Sequence, residues 1–128
     1  SVHPDIIILD MGDKFATAGS ERSDIYLKEA AIHARNIAKK YNCVIIWMSQ
    51  LSAEAEGKIN VNQSMLEGSK TGKAAEADLM LLISKNPDIE GQDSNDPQRH
   101  IRLAKNKLTG WHGTVHVELD VETGRYSA

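Results

Sequence analysis

Residues 5–11 read Asp-Ile-Ile-Ile-Leu-Asp-Met and residues 43–48 read Cys-Val-Ile-Ile-Trp-Met, two short apolar runs on either side of a long helical pattern. Runs of this length without polar alternation predict strands buried on both faces, as in a parallel sheet. Between them, Ser23 is placed to cap a helix reaching to about Tyr41. Its Leu27, Ala30, Ala31, Ala34, Ile37, Ala38 and Tyr41 form one apolar stripe, and the small alanines suit close packing on a sheet. Asn42 closes the helix. Two strands joined by such a crossover helix should be parallel. Each then ends in polar residues, Asp10, Gly12 and Asp13 after the first and Ser49-Gln50 after the second.

Downstream, residues 52–75 are polar and too long for a mere connection, which marks a candidate functional loop with room for a short helix. Residues 78–84 (DLMLLIS) predict a third buried strand, and residues 86–98 an exposed loop rich in Pro, Asp, Asn and Gly. His100–Lys105 and Thr114–Val121 alternate apolar and polar residues around a turn at residues 109–113, the pattern of an antiparallel hairpin. Glu122-Thr123-Gly124 makes the last turn. The expected architecture is a single α/β domain over residues 1–128, with a mostly parallel sheet and a C-terminal antiparallel hairpin.

Composition narrows the function. The 128 residues carry 41% hydrophobic residues and a net charge of −3, with both signs dispersed. No global basic field announces nucleic acid, so any such contact must come from local lysines. The single cysteine, Cys43, excludes an internal disulfide and fits a reducing compartment such as the cytoplasm. No apolar run approaches the roughly 20 residues needed to cross a bilayer, and no signal-peptide pattern opens the chain.

An aspartate at the carboxyl end of an apolar strand lies where open α/β sheets bind ligands, and its oxygens suit a magnesium ion beside phosphates. Taken alone, such a residue is more often a turn former or helix cap. The neighbouring strand therefore matters. It ends Ser49-Gln50-Leu51, and a neutral amide at that tip can hydrogen-bond a terminal phosphate or an attacking water. A second acid, Asp13, either assists the metal or shapes the turn, and we read it as the turn.

Ala38-Lys39-Lys40-Tyr41-Asn42 leading into a strand closed by Ser49-Gln50-Leu51 resembles the hexameric DnaB-like replicative helicases, in which a helix ending AKxxN precedes a strand ending SQL. Leu66-Glu67-Gly68-Ser69 and Glu76-Ala77-Asp78-Leu79 resemble that family's LRESGS and DADL segments, with slightly more chain between them. The set is completed by Lys105-Asn106-Lys107-Leu108-Thr109-Gly110, which delivers two cations to one side of a sheet edge. The family has Lys-x-Arg there, the arginine acting across a subunit interface. Lys107 lacks that bidentate fork, although RecA recombinases are similar in using a Lys-Asn-Lys segment across theirs.

The resemblance runs from Asp5 to about Tyr126. It implies part of a RecA-like P-loop ATPase core, its C-terminal half, with the phosphate-binding half absent from these residues. It further implies ATP and Mg2+ as cofactors, self-association into a ring expected to be a hexamer, and translocation on single-stranded DNA during replication in a bacterial or phage-infected cell. Phage primase-helicases are a close variant. In this scheme Asp10 orients magnesium, Gln50 senses the terminal phosphate, and Lys105 with Lys107 complete a neighbour's nucleotide site; these four are the expected catalytic residues. The 128 residues by themselves are expected to turn over no ATP.

Gly68-Ser69-Lys70-Thr71-Gly72-Lys73-Ala74 imitates a phosphate-binding loop but is one residue short of GxxxxGK[ST], has Glu67 at the first-glycine position, and lacks the final hydroxyl at Ala74. We read the stretch as part of a loop facing DNA, where Lys58, Lys70 and Lys73 meet backbone phosphates or stand as ordinary solvent lysines. His112 and His116 lie roughly 13 Å apart at strand rise, too far to share one metal, so no zinc site is expected. Trp47 reads as core, Trp111 as an exposed turn residue for packing or an interface, and Cys43 as inert. Two other readings stay open: a RecA-like recombinase, favoured by Lys107, and a non-catalytic RecA-fold remnant that binds DNA or a helicase partner.

Overall fold

The structure, a computed structural model, describes residues 3–16, 23–66, 72–88 and 95–128. The Glu67-Gly68-Ser69 motif, Lys70 and the middle of the 86–98 loop lie outside the described residues. The chain divides into two compact units, Ser1–Leu51 with Leu66–Glu76, and Ser52–Met65 with Ala77–Ala128.

The first unit holds β1 (Ile6–Leu9), α1 (Gly12–Ala16), α2 (Ser23–Tyr41), β2 (Val44–Trp47) and α3 (Lys73–Glu76). β1 and β2 pair in parallel, from Ile6 opposite Val44 to Leu9 opposite Trp47, with α2 as their crossover. The ladder runs past the strand ends. Met48 N–H donates to Leu9 O at 3.1 Å and Gly12 N–H donates to Met48 O at 3.0 Å, which seats the start of α1 on the tip of β2. On α2, Leu27 and Ala31 are buried and Ala30, Ala34, Ile37 and Ala38 half-buried, the expected stripe, whereas Tyr41 is exposed. That face packs on α1, α3 and β2. Asn42 ends the helix at a φ of 50°, and Cys43 N–H donates to Ala38 O at 3.0 Å, the bond pattern of a left-handed C-terminal cap.

In the second unit β3 (Leu79–Lys85), β4 (Gln98–Asn106), β5 (Gly113–Asp120) and β6 (Arg125–Ser127) form one antiparallel sheet in chain order. Among the described residues, parallel pairing is therefore confined to β1 and β2, which corrects the expectation of a mostly parallel sheet. The cause is plain: a short apolar run records burial and not the direction of its neighbour, and residues 78–84 pair with the next strand in antiparallel register. Two-sided burial also fails. Ile6 and Ile8 of β1, Val44 and Ile46 of β2, and Leu79, Leu81 and Ile83 of β3 are all exposed. Both predicted arms of the hairpin are present as β4 and β5, and β6 adds a strand that the sequence pattern did not reveal.

Residues 52–65 form a compact loop of the Ω kind, its ends joined by Ser52 N–H donating to Met65 O at 2.7 Å. It is pinned to the sheet where Ser84 Oγ donates to Ile59 O at 2.6 Å and Arg102 donates to Val61 O at 3.1 Å, around the fully buried Val61 side chain. On the same sheet, His100 and His116 face each other across β4 and β5 with their Nδ1 atoms 2.7 Å apart. Asn86 Oδ1, 2.8 Å from His100 Nε2, can only accept, so His100 donates there and accepts at Nδ1 from His116.

The turn into β6 is organised by Asp120. The Thr123 hydroxyl donates to Oδ2 at 2.6 Å, and the Glu122 and Thr123 amides donate to Oδ1 at 3.0 and 3.4 Å. These bonds, the Thr123 hydroxyl foremost, hold the Asp120 carboxyl below the usual carboxylate range. Because the folded value is depressed, the stability involved is present above the unfolded value of about 3.9 and is lost as pH falls through the lower folded value. An NMR titration of the folded chain is expected to place the Asp120 midpoint below that of the unfolded chain; equal midpoints would show that the turn does not form.

Candidate functional site

The tips of β1 and β2 lie side by side, since Leu9 pairs with Trp47, and each tip carries a polar side chain in solvent: Asp10 after β1 and Gln50 after β2, both exposed. The structure thus brings Asp10 and Gln50 to the carboxyl end of one parallel pair, the end at which open α/β sheets bind ligands.

Asp13 is placed differently from the turn role read for it. It stands in the first turn of α1, and its carboxylate is surrounded by donors from two distant segments. Trp47 Nε1 donates to Oδ1 at 2.9 Å, the Ser49 hydroxyl donates to Oδ2, and Lys73 Nζ donates to both oxygens at 2.8 Å. Lys73 Nζ also donates to Ser49 Oγ at 2.7 Å. Lysine has three N–H donors and a carboxylate about four lone-pair sites; these contacts engage all of them. Lys73 is only 6% exposed. Its ammonium is enclosed against Asp13 and Ser49 in this conformation, not displayed to solvent as a loop lysine meeting phosphates would be. α3, which begins at Lys73, is held at its other end by Arg35 of α2, which donates to Glu76 O at 2.6 Å. Sequence reasoning missed this cluster. Its only local trace is a lysine followed directly by two alanines, a cation entering a sterically small, buried helix.

In the second unit, Lys105 is half-buried within β4 opposite Met80, and Lys107 is exposed just beyond the strand. Lys107 Nζ is 3.8 Å from Asp78 Oδ1, an exposed pair of small energetic weight. Between the two lysines, the buried Asn106 organises the turn. Its Nδ2 donates to Thr109 Oγ1 at 2.6 Å and Trp111 O at 3.1 Å, while its Oδ1 accepts the Leu108 and Thr109 amides at 3.0 and 3.1 Å. Lys58 is exposed on the Ω loop.

No sequence-family model matches the chain. No curated protein sequence matches it either. Solved structures do. A helicase ATPase domain solved by itself superposes with a TM-score of 0.78 at 18% identity, over 94% of this chain and 43% of that one. A DnaB-like replicative helicase, solved in a study of its interactions with primase, gives 0.77 at 19% identity, over 94% of this chain and 29% of that one. The fold is that of part of a DnaB-type helicase ATPase domain. This DnaB-type fold spans less than half the length of either solved chain, and at such identities the likeness concerns architecture alone. No described helix of the DnaB-type unit is long and apolar enough to cross a membrane.

Proposed function

We propose that this chain is the sensing portion of an ATP-hydrolysing DNA helicase motor that acts in replication as a ring on single-stranded DNA. The observation that carries the reading is the pair Asp10 and Gln50, exposed together at the carboxyl ends of two adjacent parallel strands in a DnaB-type fold. The residues fit the cofactor. Asp13 is engaged by Lys73, Ser49 and Trp47, so Asp10 is the acid at this tip whose oxygens face solvent. One carboxylate is what Mg2+ commonly takes from a protein when phosphates and water fill its other positions. The bound ion would neutralise charge on the phosphates of ATP. Gln50 donates its amide toward the terminal phosphate or the attacking water. Lys105 and Lys107 serve a neighbouring subunit's nucleotide, held by the Asn106 turn, and Lys58 and Lys70 meet the DNA backbone.

In the native protein, Asp10→Asn and Gln50→Ala are each expected to lower magnesium-dependent ATP hydrolysis by about 100-fold, the scale of losing one positioned electrostatic group. Replacing Lys58 and Lys70 together with alanine should flatten the salt dependence of single-strand affinity by about 1.4 in log-log slope. Hydrolysis at wild-type rates in both tip variants would overturn the assignment. Lys107 also favours a second reading, a RecA-like recombinase. Strand exchange without duplex unwinding by the native protein would select it.

A further inference from the structure

We infer that Asp13, Ser49 and Lys73 are positioning residues that couple Gln50 to the segment between Leu66 and Lys73. The inference rests on the helicase reading above and deepens it. Gln50 lies between two residues that each hold one end of that segment. Leu51 pairs with Leu66 in an isolated antiparallel bridge, and Ser49 accepts from Lys73 Nζ at 2.7 Å. The stretch enclosed by these two ties contains Lys70, a proposed DNA contact.

The tie at Lys73 is the more specific of the two. It joins β1's exit, β2's exit and α3 through residues 24 to 60 positions apart in sequence. Lys73 is almost wholly enclosed, so water competes little for the ammonium. The donors and acceptors satisfy one another, leaving neither a vacant ligand position for a metal nor an unengaged base for chemistry. What remains for the cluster is mechanical: a displacement of the β2 tip moves Ser49, and through it Lys73 and the end of the segment. Trp47 reports on the same cluster because its indole N–H is bonded to Asp13 at 2.9 Å.

The test compares wild type, Ser49→Ala, Asp13→Asn, Lys73→Gln and Lys73→Arg in the native protein carrying Trp111→Phe, which leaves Trp47 as the tryptophan of this chain. Hydrolysis of ATP is measured with and without oligo-dT, and Trp47 emission is followed on adding oligo-dT alone. Ser49→Ala retains the Asp13–Lys73 pair, so it keeps the comparison informative if Asp13→Asn does not fold. Folded Ser49→Ala is expected to keep DNA-independent hydrolysis within about twofold while the stimulation by DNA drops about fivefold, the scale of a coupling residue remote from both ligands. Its Trp47 emission should no longer respond to DNA, and Lys73→Arg should recover more stimulation than Lys73→Gln. An unchanged stimulation ratio in folded Ser49→Ala, or an equal fall of basal and stimulated rates, overturns the coupling alone. A wild-type protein whose hydrolysis ignores DNA overturns the helicase reading, and the coupling with it.

Discussion

Replacing Lys73 with methionine is expected to lower the unfolding free energy by about 3 kcal/mol, the usual cost of removing one partner from an enclosed ion pair. Methionine fills most of the lysine stem's volume, so packing around the neighbouring Ala74 is retained and the loss is electrostatic. Asp13 keeps the Trp47 and Ser49 donors but loses the cation that bridges both its oxygens at 2.8 Å. The double variant Asp13→Leu with Lys73→Met should be less destabilised than Lys73→Met alone, because no carboxylate is then left without its counter-ion. Denaturant melts of the two variants decide it. A loss below about 1 kcal/mol for Lys73→Met, typical of an exposed pair, would show that the ammonium is in solvent and that the cluster does not form.

Gly12→Ala is expected to cost about 3 kcal/mol, at the upper end of what overpacking a well-filled site costs. A Cβ built on Gly12 would lie 2.3 to 2.6 Å from three atoms of the Trp47 indole. That ring cannot simply retreat, since its N–H is bonded to Asp13 and its backbone is in the β1–β2 ladder. Gly113 supplies the control. A Cβ there would come equally close, 2.3 Å, to the Trp111 ring, but Trp111 is 58% exposed and can swing away. Gly113→Ala should therefore change stability by less than about 0.5 kcal/mol, as surface substitutions do. Thermal unfolding of both variants tests the contrast; equal shifts would mean that the indole of Trp47 is as mobile as that of Trp111.

The local elements were readable because local rules govern them. The stripe from Leu27 to Ala38 and the left-handed Asn42 define α2, and two apolar runs of strand length joined by that helix define the β1–β2 pair. Alternation around the Thr109–Gly113 turn revealed the β4–β5 hairpin. What was misread depends on partners. The exposed face of Ile6, Ile8, Val44 and Ile46 has the residues of a doubly covered strand, and sequence alone cannot say whether a covering layer comes from the same chain. β6 has three residues behind an Asp120-capped turn, too short to show a period. The site divides in the same way. Asp10 and Gln50 were found because each ends a recognisable strand, whereas the Asp13–Lys73 bond spans 60 positions and has no short-range signature.

The turn built around Asn106 bears on how Lys105 and Lys107 would meet an anion. Lysine is ordinarily a poor rigid donor, with a long flexible stem that must be immobilised on contact. Here the backbone on both sides of Asn106 is fastened by four hydrogen bonds from one enclosed amide, so the roots of the two stems are fixed before any phosphate arrives. The remaining freedom lies in the side chains alone, which lets two flexible cations approach the fixed spacing that an arginine achieves within a single guanidinium.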